Sequence, residues 1–196
     1  MTTNRSYLLW LGIASIVYCI SNASISSAEC VSEVTRFLSD PNEVTYGKLV
    51  DPYTRVVSDD CWDYIANGNN ALQRLLKKVS AGNLWTAIFI ARNIDRLDGG
   101  DLEDALIALG VSMDKDPNLL LSLHRDGIID NQTLSSCVSQ RPLSLVDDQK
   151  GTLLLLKLRK KKILSVKTPG LEDAKREALI QLDETINDIE NNPIAK

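Results

Sequence analysis

Between residues 84 and 110 the chain reads LWTAIFIARNIDRLDGGDLEDALIALG, and no other stretch restricts its fold as much. Up to Leu97 the apolar side chains (Leu84, Trp85, Ala87, Ile88, Phe89, Ile90, Ala91, Ile94, Leu97) fall on almost every face of a helix. Water tolerates such a helix only when other elements surround it. Beyond Asp98-Gly99-Gly100, the residues Leu102, Ala105, Leu106, Leu109 and Met113 form a single apolar stripe at helical spacing. The pair predicts a helical hairpin: a central buried helix over 84–97, a tight turn, and a one-faced helix capped by Asp101.

The remaining punctuation is also helical. Asp40-Pro41, Asp51-Pro52, Asp116-Pro117 and Thr168-Pro169 each place an N-capping side chain before a proline, the pairing favoured at helix starts. Glu43, three residues after Asp40, adds a capping-box spacing. Predicted helices cover 30–39, 52–66, 71–79, a leucine-rich run after Pro117, a short segment from Asp130 or Asn131 to Cys137, 153–166 and 171–190. Gly82-Asn83 and Asp126-Gly127 supply stops. No window shows sustained strand alternation. The expected fold is all-α, an irregular array of helical hairpins of HEAT/armadillo-like or bundle type with no strict repeat.

Residues 1–28 read as an address. Arg5 gives a small basic start, residues 7–20 an apolar run, and Ser26-Ser27-Ala28 the small residues that precede a signal-peptide cut. Cleavage is expected after Ala28, with Ala23 and a retained anchor as alternatives. The mature chain would be one α-helical domain over 29–190 with a frayed tail at 191–196, exported to the periplasm or secreted. Three cysteines then remain, Cys30, Cys61 and Cys137, enough for one disulfide and one thiol. Antiparallel packing of the first helices favours Cys30 with Cys61, and Cys61 with Cys137 is the alternative.

Candidate chemistry is sparse. Asp95, Asp98, Asp101, Glu103 and Asp104 form an acidic cluster, but their spacing is not that of a Ca²⁺ loop, and acids at a helix start favour the macrodipole. His124 is the only histidine and sits near a predicted helix end. No CxxC spacing occurs. Nothing here assigns a catalytic residue, a cofactor or a metal.

Charge is the remaining outlier. The net charge is −4, which argues against nucleic acid as a partner. Yet Lys157, Arg159, Lys160, Lys161, Lys162 and Lys167 give residues 151–170 a net of +6 without one acid. Two readings apply to this strip: neutralisation of neighbouring acidic helices, or a surface for an acidic partner or an anionic membrane.

The sequence from Trp85 through Leu97-Asp98-Gly99-Gly100-Asp101-Leu102-Glu103-Asp104-Ala105-Leu106, Ala108-Leu109, Asp116-Pro117-Asn118 and Leu120 to Cys137 resembles secreted all-helical, HEAT-like proteins of proteobacteria. Those carry an Asn-Pro helix start, whereas the order here is Pro117-Asn118. The resemblance implies a helical fold and brings no catalytic residue. Size, compartment and fold are also similar to those of periplasmic immunity proteins, an analogy of architecture alone. The expected function is protein–protein binding by an exported helical protein, inhibitor or immunity-like. A carboxylate-based hydrolase and a structural envelope component are the alternatives.

Overall fold

The computed structural model describes residues 27–68 and 70–192. The leader prediction lies outside these residues except for Ser27 and Ala28, which begin the first helix, and so does the tail beyond Asn192. Among the described residues there are ten α-helices and no strand. They are α1 (Ser27–Ser39), α2 (Glu43–Leu49), α3 (Asp59–Asn67), α4 (Ala71–Ser80), α5 (Leu84–Arg92), α6 (Gly99–Lys115), α7 (Pro117–Arg125), α8 (Asn131–Ser139), α9 (Gln149–Ser165) and α10 (Glu172–Asn191). The array is all-α, as the periodicity predicts.

Packing runs mostly between neighbours in sequence, with α1 on α2 and α3, α4 on α5 and α6, and α9 on α10. The helix α6 touches α4, α7, α8 and α9, and α4, α7 and α8 likewise each touch four other helices. The apolar run at 84–97 forms α5 as far as Arg92, and that helix touches α2, α4 and α7. That run ends early because Asn93 turns its amide back onto the Phe89 carbonyl (2.8 Å), and a 3-10 turn at Ile94–Arg96 follows.

Two tiers of core result. Toward the amino terminus Phe37, Phe89, Tyr46, Trp62 and Trp85 pack as tilted aromatic pairs 5.5–6.4 Å apart, with Arg96 stacked over Trp62 at 5.0 Å. Phe37 and Phe89 are fully buried, and side chains of this kind contribute roughly 1.5–3 kcal/mol each. Beneath them Cys30 of α1 and Cys61 of α3 form a disulfide, their Cα atoms 5.4 Å apart. Toward the carboxyl terminus the core is aliphatic, built from Leu109, Met113, Leu120, Leu134, Leu156, Ile163, Leu182 and Ile186.

The helix stops fall where expected. Gly82 (φ 87°) and Gly127 (φ 66°) adopt the left-handed conformation, and the next residues, Asn83 and Ile128, donate to Lys78 and Leu123. The proline starts fare differently. Only Asp116-Pro117 opens its helix directly, the Asp116 carboxylate accepting from Asn118 N–H (3.0 Å). After Asp40-Pro41 the cap is Asn42, in a reciprocal box with Thr45 rather than with Glu43. Pro169-Gly170 makes a turn, Gly170 taking φ 79°, and α10 begins at Glu172. Asp98, not Asp101, stands at the start of α6, so the glycine pair forms its first turn.

The largest departure is at Asp51-Pro52, where the predicted helix over 52–66 is a loop until Asp59. Asp51 caps a turn instead, accepting from Thr54 N–H (2.7 Å) and Tyr53 N–H (2.9 Å). Arg55 then takes φ 59°, which stops helix propagation.

Candidate functional site

The basic strip folds into α9, and its cations divide by helical face. Thr152, Leu156, Arg159 and Ile163 point inward. Arg159 is 1% exposed, so it belongs to the core and not to a surface. Its Nε and Nη2 each donate to Asp114 of α6 at 2.7 Å, a fork-to-fork pair. Its Nη1 donates to the carbonyls of Val138 (2.6 Å), Gln140 (2.8 Å) and Cys137 (3.4 Å), at the carboxyl end of α8. One guanidinium thus satisfies carbonyls that a helix end leaves orphaned and brings positive charge to the negative end of its dipole.

Neighbouring lysines act alike. Lys162 donates to the Asp114 carbonyl near the end of α6, and Lys175 of α10 donates to Leu164 and Val166 at the end of α9. Lys160 pairs with Asp183 and Lys157 with Glu190. Among the described residues Lys150, Lys161 and Lys167 form no ion pair.

The junction tolerates no bulk. A Cβ on Gly110 of α6 would lie 2.5 Å from the Cys137 carbonyl oxygen, and glycine lets the two backbones meet there. The Cys137 thiol itself is fully buried, and desolvation pushes its pKa up to about 12 against a smaller opposing pull from Arg159. Its thiolate is therefore suppressed. After iodoacetamide treatment of the native protein at pH 8, peptide mapping should find Cys137 unmodified, and modified only after denaturation. Alkylation at equal rates in both states would contradict this burial. Because folding raises this pKa, the thiol's contribution to stability is intact below pH 9 and declines as pH rises from there toward about 12.

The acidic cluster does not converge. Asp95 lines a cleft with Arg92, Ile128 and Asp130, whereas Asp101 lines another with Asn67, Asn70 and Gln73. Asp104 accepts a hydrogen bond from Gln73 (3.3 Å), and Asp98 stands at the N-cap position of α6 without a side-chain capping bond. Asp130 is occupied as the cap of α8, where Thr133 N–H (2.8 Å) holds its carboxyl below the usual range. Among the described residues no group of three His, Cys, Asp or Glu side chains is placed to hold a metal ion. His124 sits at the end of α7 with Nε2 2.6 Å from Asn131 Oδ1.

Two features escaped the sequence reading. Arg159 was legible: Thr152, Leu156, Arg159 and Ile163 recur at i, i+4, i+7 and i+11, an inward stripe with an arginine in it. The second is the loop before α3. Tyr53, expected inside a helix, is 92% exposed at its tip, and Asp51, Thr54 and Arg55 beside it are exposed too. The loop is nonetheless pinned. Besides the Asp51 turn, Asp51 N–H donates to Val56 (2.9 Å), Arg55 N–H to Asp51 (2.9 Å), and the Tyr46 hydroxyl to the Arg55 carbonyl (3.2 Å). Arg96 fastens its far side through the Val57 carbonyl (2.8 Å) and Asp59 (2.6 Å). The Thr54 and Tyr53 N–H groups hold the Asp51 carboxyl below its ordinary range, so the turn keeps its ionised acceptor at neutral pH.

No protein family, curated protein or solved structure matches this chain. Among the described residues no helix is long and apolar enough to cross a membrane.

Proposed function

We propose that the protein acts by binding another protein after export, as an inhibitor or immunity-like module, with the Tyr53 loop as its contact surface. The observation that carries this reading is an aromatic side chain held almost wholly in solvent on a loop whose backbone is locked from both sides. Tyrosine is enriched among the residues that dominate binding energy, and a rigid loop loses little entropy on docking. Arg55 supplies a left-handed backbone conformation that only its surroundings enforce, the kind of strain that collects at binding sites. Asp51 caps the turn and Asp59 pairs with Arg96, while Asp60 and Asp63, exposed on α3 just after the loop, supply carboxylates that suit a basic cleft on the partner. The disulfide and the leader expected at 1–28 support an oxidising, exported setting.

A photo-crosslinking residue in place of Tyr53 should trap one stoichiometric protein in an envelope extract, and Tyr53→Ala should weaken that complex by about tenfold or more. Stability should be unchanged, because the ring touches no core. Trapping nothing, or equal affinity for Tyr53→Ala, would overturn the assignment.

A further inference from the structure

The face of α9 opposite Arg159 does not belong to the Tyr53 surface, and its chemistry is different. Leu154, Leu158 and Leu164 are 62%, 50% and 53% exposed. Spaced at three and four residues among them stand Lys150, Lys157 and Lys161, so leucines and lysines share one stripe along a 17-residue helix, a span of about 25 Å. Lys150 and Lys161 form no ion pair among the described residues, and Lys167 follows just past the helix. No acid occurs from Gln149 to Gly170.

From this geometry we infer that α9 lies along an anionic lipid surface. Its three outward leucines enter the headgroup boundary while the Lys150 and Lys161 ammoniums, unlike that of Lys157, which Glu190 holds, reach the phosphates, their stems covering apolar surface on the way. A protein partner fits the face less well. Every outward cation is lysine, which protein interfaces avoid in their cores, and the stripe has no aromatic anchor. The face also belongs to one uninterrupted 17-residue helix, which can lie along a plane. The single arginine of the segment, the residue best suited to forked recognition of carboxylates, is spent in the core. The inference does not rest on the Tyr53 reading.

Co-sedimentation of the full chain with vesicles tests it. Binding is expected to mixed phosphatidylglycerol–phosphatidylcholine vesicles, to be weak on phosphatidylcholine alone, and to fall as salt rises. The double variant Lys150→Glu/Lys161→Glu should lose binding by about tenfold or more. Leu154→Ser/Leu158→Ser should lose it comparably, while both retain wild-type helicity by circular dichroism. The apolar run at 7–20 is common to all three proteins, so the difference between them reports α9. Equal binding to both vesicle types, or variants that bind like wild type, would overturn the inference. So would retention on immobilised polyglutamate without vesicle binding, which would assign the face to an acidic protein instead.

Discussion

Asp114→Ala is expected to destabilise the protein by about 3–5 kcal/mol, read as a lower urea midpoint at unchanged slope. The variant leaves the Arg159 guanidinium fully buried with its Nε and Nη2 protons facing no acceptor, while Nη1 still holds the carbonyls of α8. Desolvating an ion is tolerable only when its partners are in place, so removing one costs more than the net worth of the pair. Arg159→Met should cost less, since Asp114 is partly exposed and can rehydrate, although the Val138 and Gln140 carbonyls then lose their donor. The double variant Asp114→Leu/Arg159→Met should be milder than Asp114→Ala alone, because no uncompensated charge remains. A loss below about 1 kcal/mol for Asp114→Ala would show that water reaches the guanidinium and that the pair is not the clamp described.

Removal of the disulfide by Cys30→Ala/Cys61→Ala should cost about 3.7 kcal/mol, the loop-closure value for cysteines 31 residues apart. Urea unfolding should also show a steeper slope, because the unbridged unfolded chain exposes more surface. The loss is expected to concentrate in α1–α3. These helices pack chiefly on one another, and α4 with the Phe37–Phe89 contact is their principal attachment to the rest. Unfolding midpoints that coincide with and without the bridge would mean that the aromatic tier alone closes this end.

The readable and unreadable parts of the sequence divide along a physical line. Helix interiors and stops were readable because they depend on local causes: a 3.6-residue stripe in α4, α6 and α10, and glycines free to take positive φ at Gly82 and Gly127. The pairing of Cys30 with Cys61 was one of the open alternatives, favoured by antiparallel packing of the first helices, and the bond forms there. Starts were harder. An Asp-Pro pair satisfies a turn as well as a helix, and at Asp51 the choice falls to Arg55, whose carbonyl is held by Tyr46. That contact is tertiary and has no signature within the loop itself. The run of four leucines opening α9 hid its orientation, since apolar residues on every side do not say which side faces in. The buried stripe through Arg159 resolves it, but only if a cation is allowed to count as a core residue. The exposed Tyr53 could not be anticipated, because its exposure results from the helix failing to form around it.

The position of the bridge along the chain bears on the order in which thiols meet. A chain emerging amino terminus first presents Cys30 and Cys61 together, with α1–α3 between them, long before Cys137 follows. With the leader expected at 1–28, and its Cys19, removed, oxidation during export would find a single partner for each sulfur, and Cys137 would arrive to a bond already made and close into the core as a thiol. Refolding of the reduced 29–196 chain offers no such sequence, and mispaired species involving Cys137 are the expected by-product of that route alone.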